Sequence, residues 1–124
     1  MASPSCAAVE KSVSAEPGAS FTLAPGQTAA VQGTNTRITF NKVREDSRCP
    51  VDVTCVWAGD AKIEIAISRS GAADDARILS ITPPNNEAAV GNLRIRFVSL
   101  APVPRQADAN VPRNYRAEFV VDQL

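Results

Sequence analysis

Ala61-Lys62-Ile63-Glu64-Ile65-Ala66-Ile67-Ser68-Arg69 places Ile63, Ile65 and Ile67 on one side and Lys62, Glu64 and Ser68 on the other. That period of two is the signature of a half-buried β-strand, and isoleucine packs well on a pleated surface. Working outward, the same alternation recurs. Phe21 and Leu23 alternate with polar residues, and 28–32 is a short strand. Segment 37–44 turns Ile38 and Phe40 inward before Val43 falls out of phase, which predicts a β-bulge near Asn41-Lys42. Segment 77–82 points Leu79 and Ile81 inward, and 92–100 does so with Leu93, Ile95 and Phe97 before slipping at Val98. In 115–122, Tyr115, Ala117, Phe119 and Val121 share a face. Pro25-Gly26, Ser70-Gly71 and Pro83-Pro84-Asn85-Asn86 punctuate the strands as turns. The pattern predicts an all-β fold of seven or eight short strands, either an antiparallel β-sandwich or a small closed barrel. The Pro-rich connection 101–113 is expected to be the crossover of a Greek key.

At 124 residues the chain is long enough for one domain with one core. Residues 1–18, rich in Ala, Ser and Pro, read as a flexible segment left after a signal peptide is removed, and 19–124 as the β domain. Thirteen basic residues balance thirteen acidic ones, which argues against nucleic acid as a partner. No apolar run approaches the roughly 18 residues that would span a bilayer.

Immediately before the central strand lies Asp46-Ser47-Arg48-Cys49-Pro50-Val51-Asp52-Val53-Thr54-Cys55-Val56-Trp57-Ala58-Gly59, which holds two of the three cysteines and the only tryptophan. The Cys-x5-Cys spacing of Cys49 and Cys55 is not that of a zinc or redox site, so a disulfide is expected, and with it an oxidising, extracytoplasmic compartment. Closing so short a ring stabilises by about 2–2.5 kcal/mol on the chain-entropy model. Two roles stay open for it. One is a structural staple with Trp57 packed behind it as core. The other is a stiff binding loop made of Arg48, Pro50, Val51, Asp52, Val53 and Thr54, with Arg48 as its anchor. Cys6 stands where a lipoprotein would carry its acyl chains, and is either such a membrane tether or a free thiol.

The residues offer little for catalysis. There is no histidine, which removes the commonest general base and the commonest metal ligand together. Neither a Ser-x-x-Lys motif nor a Gly-rich phosphate loop is present, so no catalytic residue, metal or cofactor is expected. Glu45, Asp46, Asp52, Asp60, Asp74 and Asp75 read as solvated turns and edges rather than a glycosidase pair. Arg94, Arg96, Arg113 and Arg116, with Glu118 on the same face, read as a mixed surface charge ladder.

Asp46-Ser47-Arg48-Cys49-Pro50 followed by Cys55-Val56-Trp57-Ala58-Gly59 resembles a signature of small bacterial secreted or lipoprotein β domains. Phe21-Thr22-Leu23, Gly26 and Ile38-Thr39-Phe40 match the strands that precede it there. The resemblance spans about residues 20–68 and implies an extracytoplasmic β domain, with no catalytic residues to carry over. In size and all-β class alone the chain is also similar to small secreted protease inhibitors of the potempin type, with no inhibitor motif matched. The expectation is therefore a monomeric, non-catalytic extracytoplasmic module that binds another protein, as a protease inhibitor or otherwise. The alternatives are a structural cell-envelope lipoprotein domain and, last, a small carboxylate-based hydrolase.

Overall fold

The computed structural model describes residues 12–70, 74–108, 111 and 113–123. Nine strands run in chain order: β1 (Ser12–Ala15), β2 (Ser20–Leu23), β3 (Thr28–Val31), β4 (Thr36–Asp46), β5 (Ala61–Arg69), β6 (Asp75–Ser80), β7 (Glu87–Val90), β8 (Leu93–Ala101) and β9 (Arg116–Gln123). They form two sheets, of order β1-β3-β4-β5-β6 and β2-β9-β8-β7. Both sheets keep open edges, so of the two expected architectures the chain adopts the sandwich and not the barrel.

Two of the nine strands, β1 and β7, match none of the segments read as strands from the sequence, for a common reason. Both are four residues long and built from Ser, Ala and Val or Glu, Ala and Val, so their side chains carry little β signal. β1 lies within the stretch expected to be loose. It pairs in parallel with β3, and Ala15 is fully buried, so the ordered domain begins before residue 19. Among the described residues it is also the one departure from antiparallel pairing. β7 turns into β8 through Gly91-Asn92 alone, Val90 facing Leu93 across the hairpin, with Gly91 at φ 60°. The long connection after β8 is no crossover: β8 and β9 are hydrogen-bonded neighbours, and the loop simply returns.

The alternation holds in detail. Ile38, Phe40, Ile63, Ile65, Ile67, Leu93, Ile95, Phe97 and Phe119 are all buried in one core cluster, while Ile81 and Tyr115 pack at its margin. At its centre the Phe119 ring meets Phe21, Phe97 and Phe40 at centroid distances of 5.7, 5.9 and 6.4 Å. Phe40 comes from the opposite sheet, edge-on, so this contact joins the layers.

Both expected register slips are present. β8 slips against β9 between Phe97 and Ser99, and β4 slips against β5 between Phe40 and Lys42. β4 slips a second time between Val43 and Glu45. Each extra residue flips the strand's faces. After the first slip Val43 faces inward opposite Ile63. After the second, Asp46 does so opposite Ala61, which leaves a carboxylate at the rim of the core.

Candidate functional site

Asp46 organises that rim. Its side chain is only 6 % exposed and accepts five hydrogen bonds, the longest from Arg48 N–H at 3.5 Å. Arg48 grips it bidentately through Nε and NH2, at 2.7 and 2.9 Å. Arg113 NH1 and the Tyr115 hydroxyl donate to Oδ2 at 2.7 and 2.9 Å. Burial pushes the carboxyl pKa up, but the bonds from Arg48 and Tyr115 outweigh it, and the pKa falls from 3.8 to about 2. A carboxylate with a depressed native pKa stabilises fully above its unfolded pKa and loses that stabilisation as pH falls through the native one. Between pH 4 and pH 2 the chain should thus lose about 2 kcal/mol through Asp46. Asp46→Asn removes that titration. Urea unfolding at stepped pH should show the wild-type advantage shrinking by this amount across the window, whereas a constant gap would mean that Asp46 titrates normally.

Arg48 is occupied inwardly. Beyond Asp46 it donates to the carbonyls of Leu100 at 2.7 Å and Pro102 at 3.0 Å. The expected anchor of binding is therefore half-buried and fastens the 47–60 loop to the end of β8. Sequence gives a hint of this in Asp46-x-Arg48, an i, i+2 pair repeated as Asp75-x-Arg77, where Arg77 is also bidentate.

The cysteine ring is formed: Cys49 and Cys55 are bonded, with Cα atoms 5.9 Å apart. Val53 N–H donates to Pro50 C=O at 3.3 Å, making a tight turn inside it. The ring docks on the loop that follows β8. Val51 N–H donates to Pro104 C=O at 2.9 Å. The Asp52 carboxylate accepts from Gln106 N–H and Ala107 N–H at 2.7 and 3.2 Å, capping the 3₁₀ turn Gln106–Asp108. These backbone donors hold its pKa below the usual range. Val51, Asp52, Val53 and Thr54 all have exposed side chains, and Pro50 is half-buried. Cys6 lies outside the described residues.

Below the ring the two limbs of the loop are laced together. Ser47 N–H donates to Asp60 C=O at 2.7 Å, and Cys49 N–H to Ala58 C=O at 2.9 Å. Asp60 in turn accepts from Ser80 Oγ at 2.7 and 2.6 Å, Thr82 Oγ1 at 3.0 Å and Ala61 N–H at 2.8 Å. Burial raises its pKa, yet these bonds prevail and lower it. Asp46 and Asp60 are thus structural acceptors and not the solvated groups expected from sequence, while Asp52 stays exposed as it caps the turn. Only the pairing of distant loops reveals this. The charge ladder on the outer face is present, with Arg96 on Asp122 at 2.7 Å and Arg94 near Glu87 at 4.0 Å. Arg113 has left it for Asp46.

Trp57 departs furthest from expectation. It is not core behind the staple: it is 81 % exposed, and Val56 beside it is 90 % exposed. The backbone that carries the pair is held on both flanks, by the disulfide at Cys55 and by the Cys49–Ala58 hydrogen bond. Eight large hydrophobics are exposed among the described residues. Six of them, Val51, Val53, Val56, Trp57, Val103 and Val111, belong to the two loops that Asp46, Arg48 and Asp52 bind together. Comparison with protein-family models, with curated proteins and with solved structures finds no match for the chain.

Proposed function

We propose that the protein is a non-catalytic, extracytoplasmic binding module that engages another protein through the clamped end displaying Trp57. The observation that carries this reading is a tryptophan held in solvent by a covalently closed, internally bonded loop. A free indole on a floppy tail would be unremarkable. One whose flanks are fixed loses little entropy on docking, and Trp dominates binding energy at many interfaces. The apolar clustering on two joined loops supports the same reading, since such clustering marks interaction surfaces. The disulfide favours an oxidising compartment. Relative to the loop expected from sequence, the anchor moves from Arg48 to Trp57 and the surface extends to Val103 and Val111. Protease inhibition is a special case of this function, favoured by the covalent stiffening. The tight turn at 50–53 leaves 56–58 as the segment that would enter a protease cleft.

The test places a photo-crosslinking residue at position 57 and captures the partner from an envelope extract. Wild type and Trp57→Ala are then compared for affinity to the purified partner. An exposed residue can be removed without unfolding, so melting temperature should hold while binding weakens tenfold or more, about 1.4 kcal/mol. Lys42→Ala, on the outer face of β4, should bind normally. Equal binding by Trp57→Ala and wild type would overturn the site. Titration of serine, cysteine and metalloproteases with the same proteins decides the inhibitor case.

A further inference from the structure

β6 is an edge strand of the five-stranded sheet, hydrogen-bonded to β5 on one side only. Two bonds at its end show which way its backbone groups point. Ile81 N–H donates toward β5, to Ala61 C=O at 2.8 Å, and Ser80 N–H donates the other way, to Asn85 C=O at 2.9 Å. In an antiparallel ladder both groups of one residue point to the same side, and the side alternates along the strand. Asp75, Arg77 and Leu79 therefore bond β5, while Ala76 and Ile78 turn N–H and C=O to the open edge, where no described residue meets them. The turn that holds Asn85 closes this edge at Ser80 and leaves the rest of it free.

The side chains divide in the same way. Ala76 and Ile78 stand on the outer face, and Ile78 is 49 % exposed. With Val98 it is one of two large exposed hydrophobics, among the described residues, that lie outside the loops around Trp57. Asp75 and Arg77 share the inner face with buried Leu79, partly exposed and bonded to each other at 3.1 and 2.9 Å. Charges on the inner face of an edge strand repel an apolar strand that would add there. They accept a strand that sets a base opposite Asp75 and an acid opposite Arg77, and β6 is itself such a strand. Residues that bond across the shared edge must both turn their backbone groups to it, which leaves a second β6 few antiparallel registers. Centring the pair on Asp75 or on Arg77 sets like charges face to face. Centring it on Ile78 calls on Ser80 N–H, which Asn85 already holds. Centring it on Ala76 sets Asp75 opposite the partner's Arg77 twice, in the non-hydrogen-bonded pairs where side chains are closest. Only two alanine side chains then meet at the axis.

We propose that β6 pairs edge to edge with β6 of a second copy of this chain, antiparallel about a two-fold axis at Ala76. Ala76 exchanges two hydrogen bonds with its counterpart, and Ile78 two more with the partner's Asp74 on each side of the axis, extending the strand by one residue. The contact is isologous and short, so the dimer is weak and forms at high concentration. A second copy as partner departs from the monomer expected from sequence, and the contact does not rest on the reading of Trp57. Sedimentation equilibrium from about 10 μM to about 1 mM tests it. The wild-type mass should rise from 13.1 kDa toward twice that value. Ala76→Pro removes an outward N–H without touching the β5 ladder, and should keep the mass of one chain. Asp75→Arg and Arg77→Asp each set like charges opposite one another, and each alone should stay monomeric with dispersed spectra. Mixed in equal amounts they should dimerise, because two arginines of one variant then face two aspartates of the other. These charge variants decide the matter if Ala76→Pro loses dispersion. Val98→Ser, which removes the other exposed hydrophobic outside the loops, should dimerise as wild type does. A wild type that stays at 13.1 kDa throughout, full dimerisation by a folded Ala76→Pro, a mixture that stays monomeric, or loss of the dimer in Val98→Ser would overturn the pairing.

Discussion

Phe119→Ala lowers the free energy of unfolding by about 3–5 kcal/mol, a large share of the roughly 5–15 kcal/mol that stabilises a domain of this kind. Three reasons converge on this side chain. Phe119 is fully buried, so truncation forfeits the whole transfer free energy of the ring. It touches Phe21, Phe97 and Phe40 together, from three strands across both sheets, so no single neighbour can move to fill the void. Its backbone is paired on both sides, with Phe21 in β2 and Phe97 in β8, which prevents the strand from collapsing inward. Denaturant unfolding measures the loss. A cost below about 1 kcal/mol would mean that the sheets are not joined through this ring.

Gly59→Ala costs about 3 kcal/mol or more, and it acts on the binding end rather than the core. Gly59 has φ 74°, a conformation that alone costs an L side chain about 1–2 kcal/mol. A β-carbon there would also overlap the Ser47 carbonyl oxygen and lie 2.9 Å from the Arg48 Cα. Backbone cannot swing aside as a long side chain can, so the two limbs must separate. The Ser47–Asp60 and Cys49–Ala58 hydrogen bonds go with them. The variant should lose stability and, with it, the fixed position of Trp57. By contrast Gly33→Ala, at φ 77° with open space around it, carries only the conformational part. Thermal unfolding of the pair separates clash from conformation, and equal losses would show that the limbs are not in contact.

Strand phase and its interruptions were legible because each depends on side chains within a few residues. The slips at Asn41-Lys42 and Val98 announced themselves as breaks in alternation, and the ring could be read from the Cys49–Cys55 spacing. β1 and β7 were not legible, since Ser and Ala carry little preference. The roles of Asp46 and Asp52 depend on two bulges restoring a face and on the loop after β8 docking against the ring. These are long-range outcomes with no local pattern. Arg48 was misjudged for the same reason: its partners Leu100 and Pro102 lie half the chain away. Trp57 lay in a loop, where alternation gives no phase. Its size suggested core, but both its flanks are tied outward.

Trp57 is the chain's only tryptophan, so its fluorescence reports one side chain without labelling. The most direct measurement is acrylamide quenching of that emission together with ¹⁵N backbone relaxation of residues 55–58 in the free protein. An exposed indole on a pinned backbone should quench as readily as a free tryptophan derivative in water and emit at the same wavelength, while the amides of 55–58 are as rigid as those of the strands. A blue-shifted emission shielded from acrylamide would place Trp57 in the core. Fast backbone motion at 55–58 would show a loose loop, and either result would contradict a preformed binding surface.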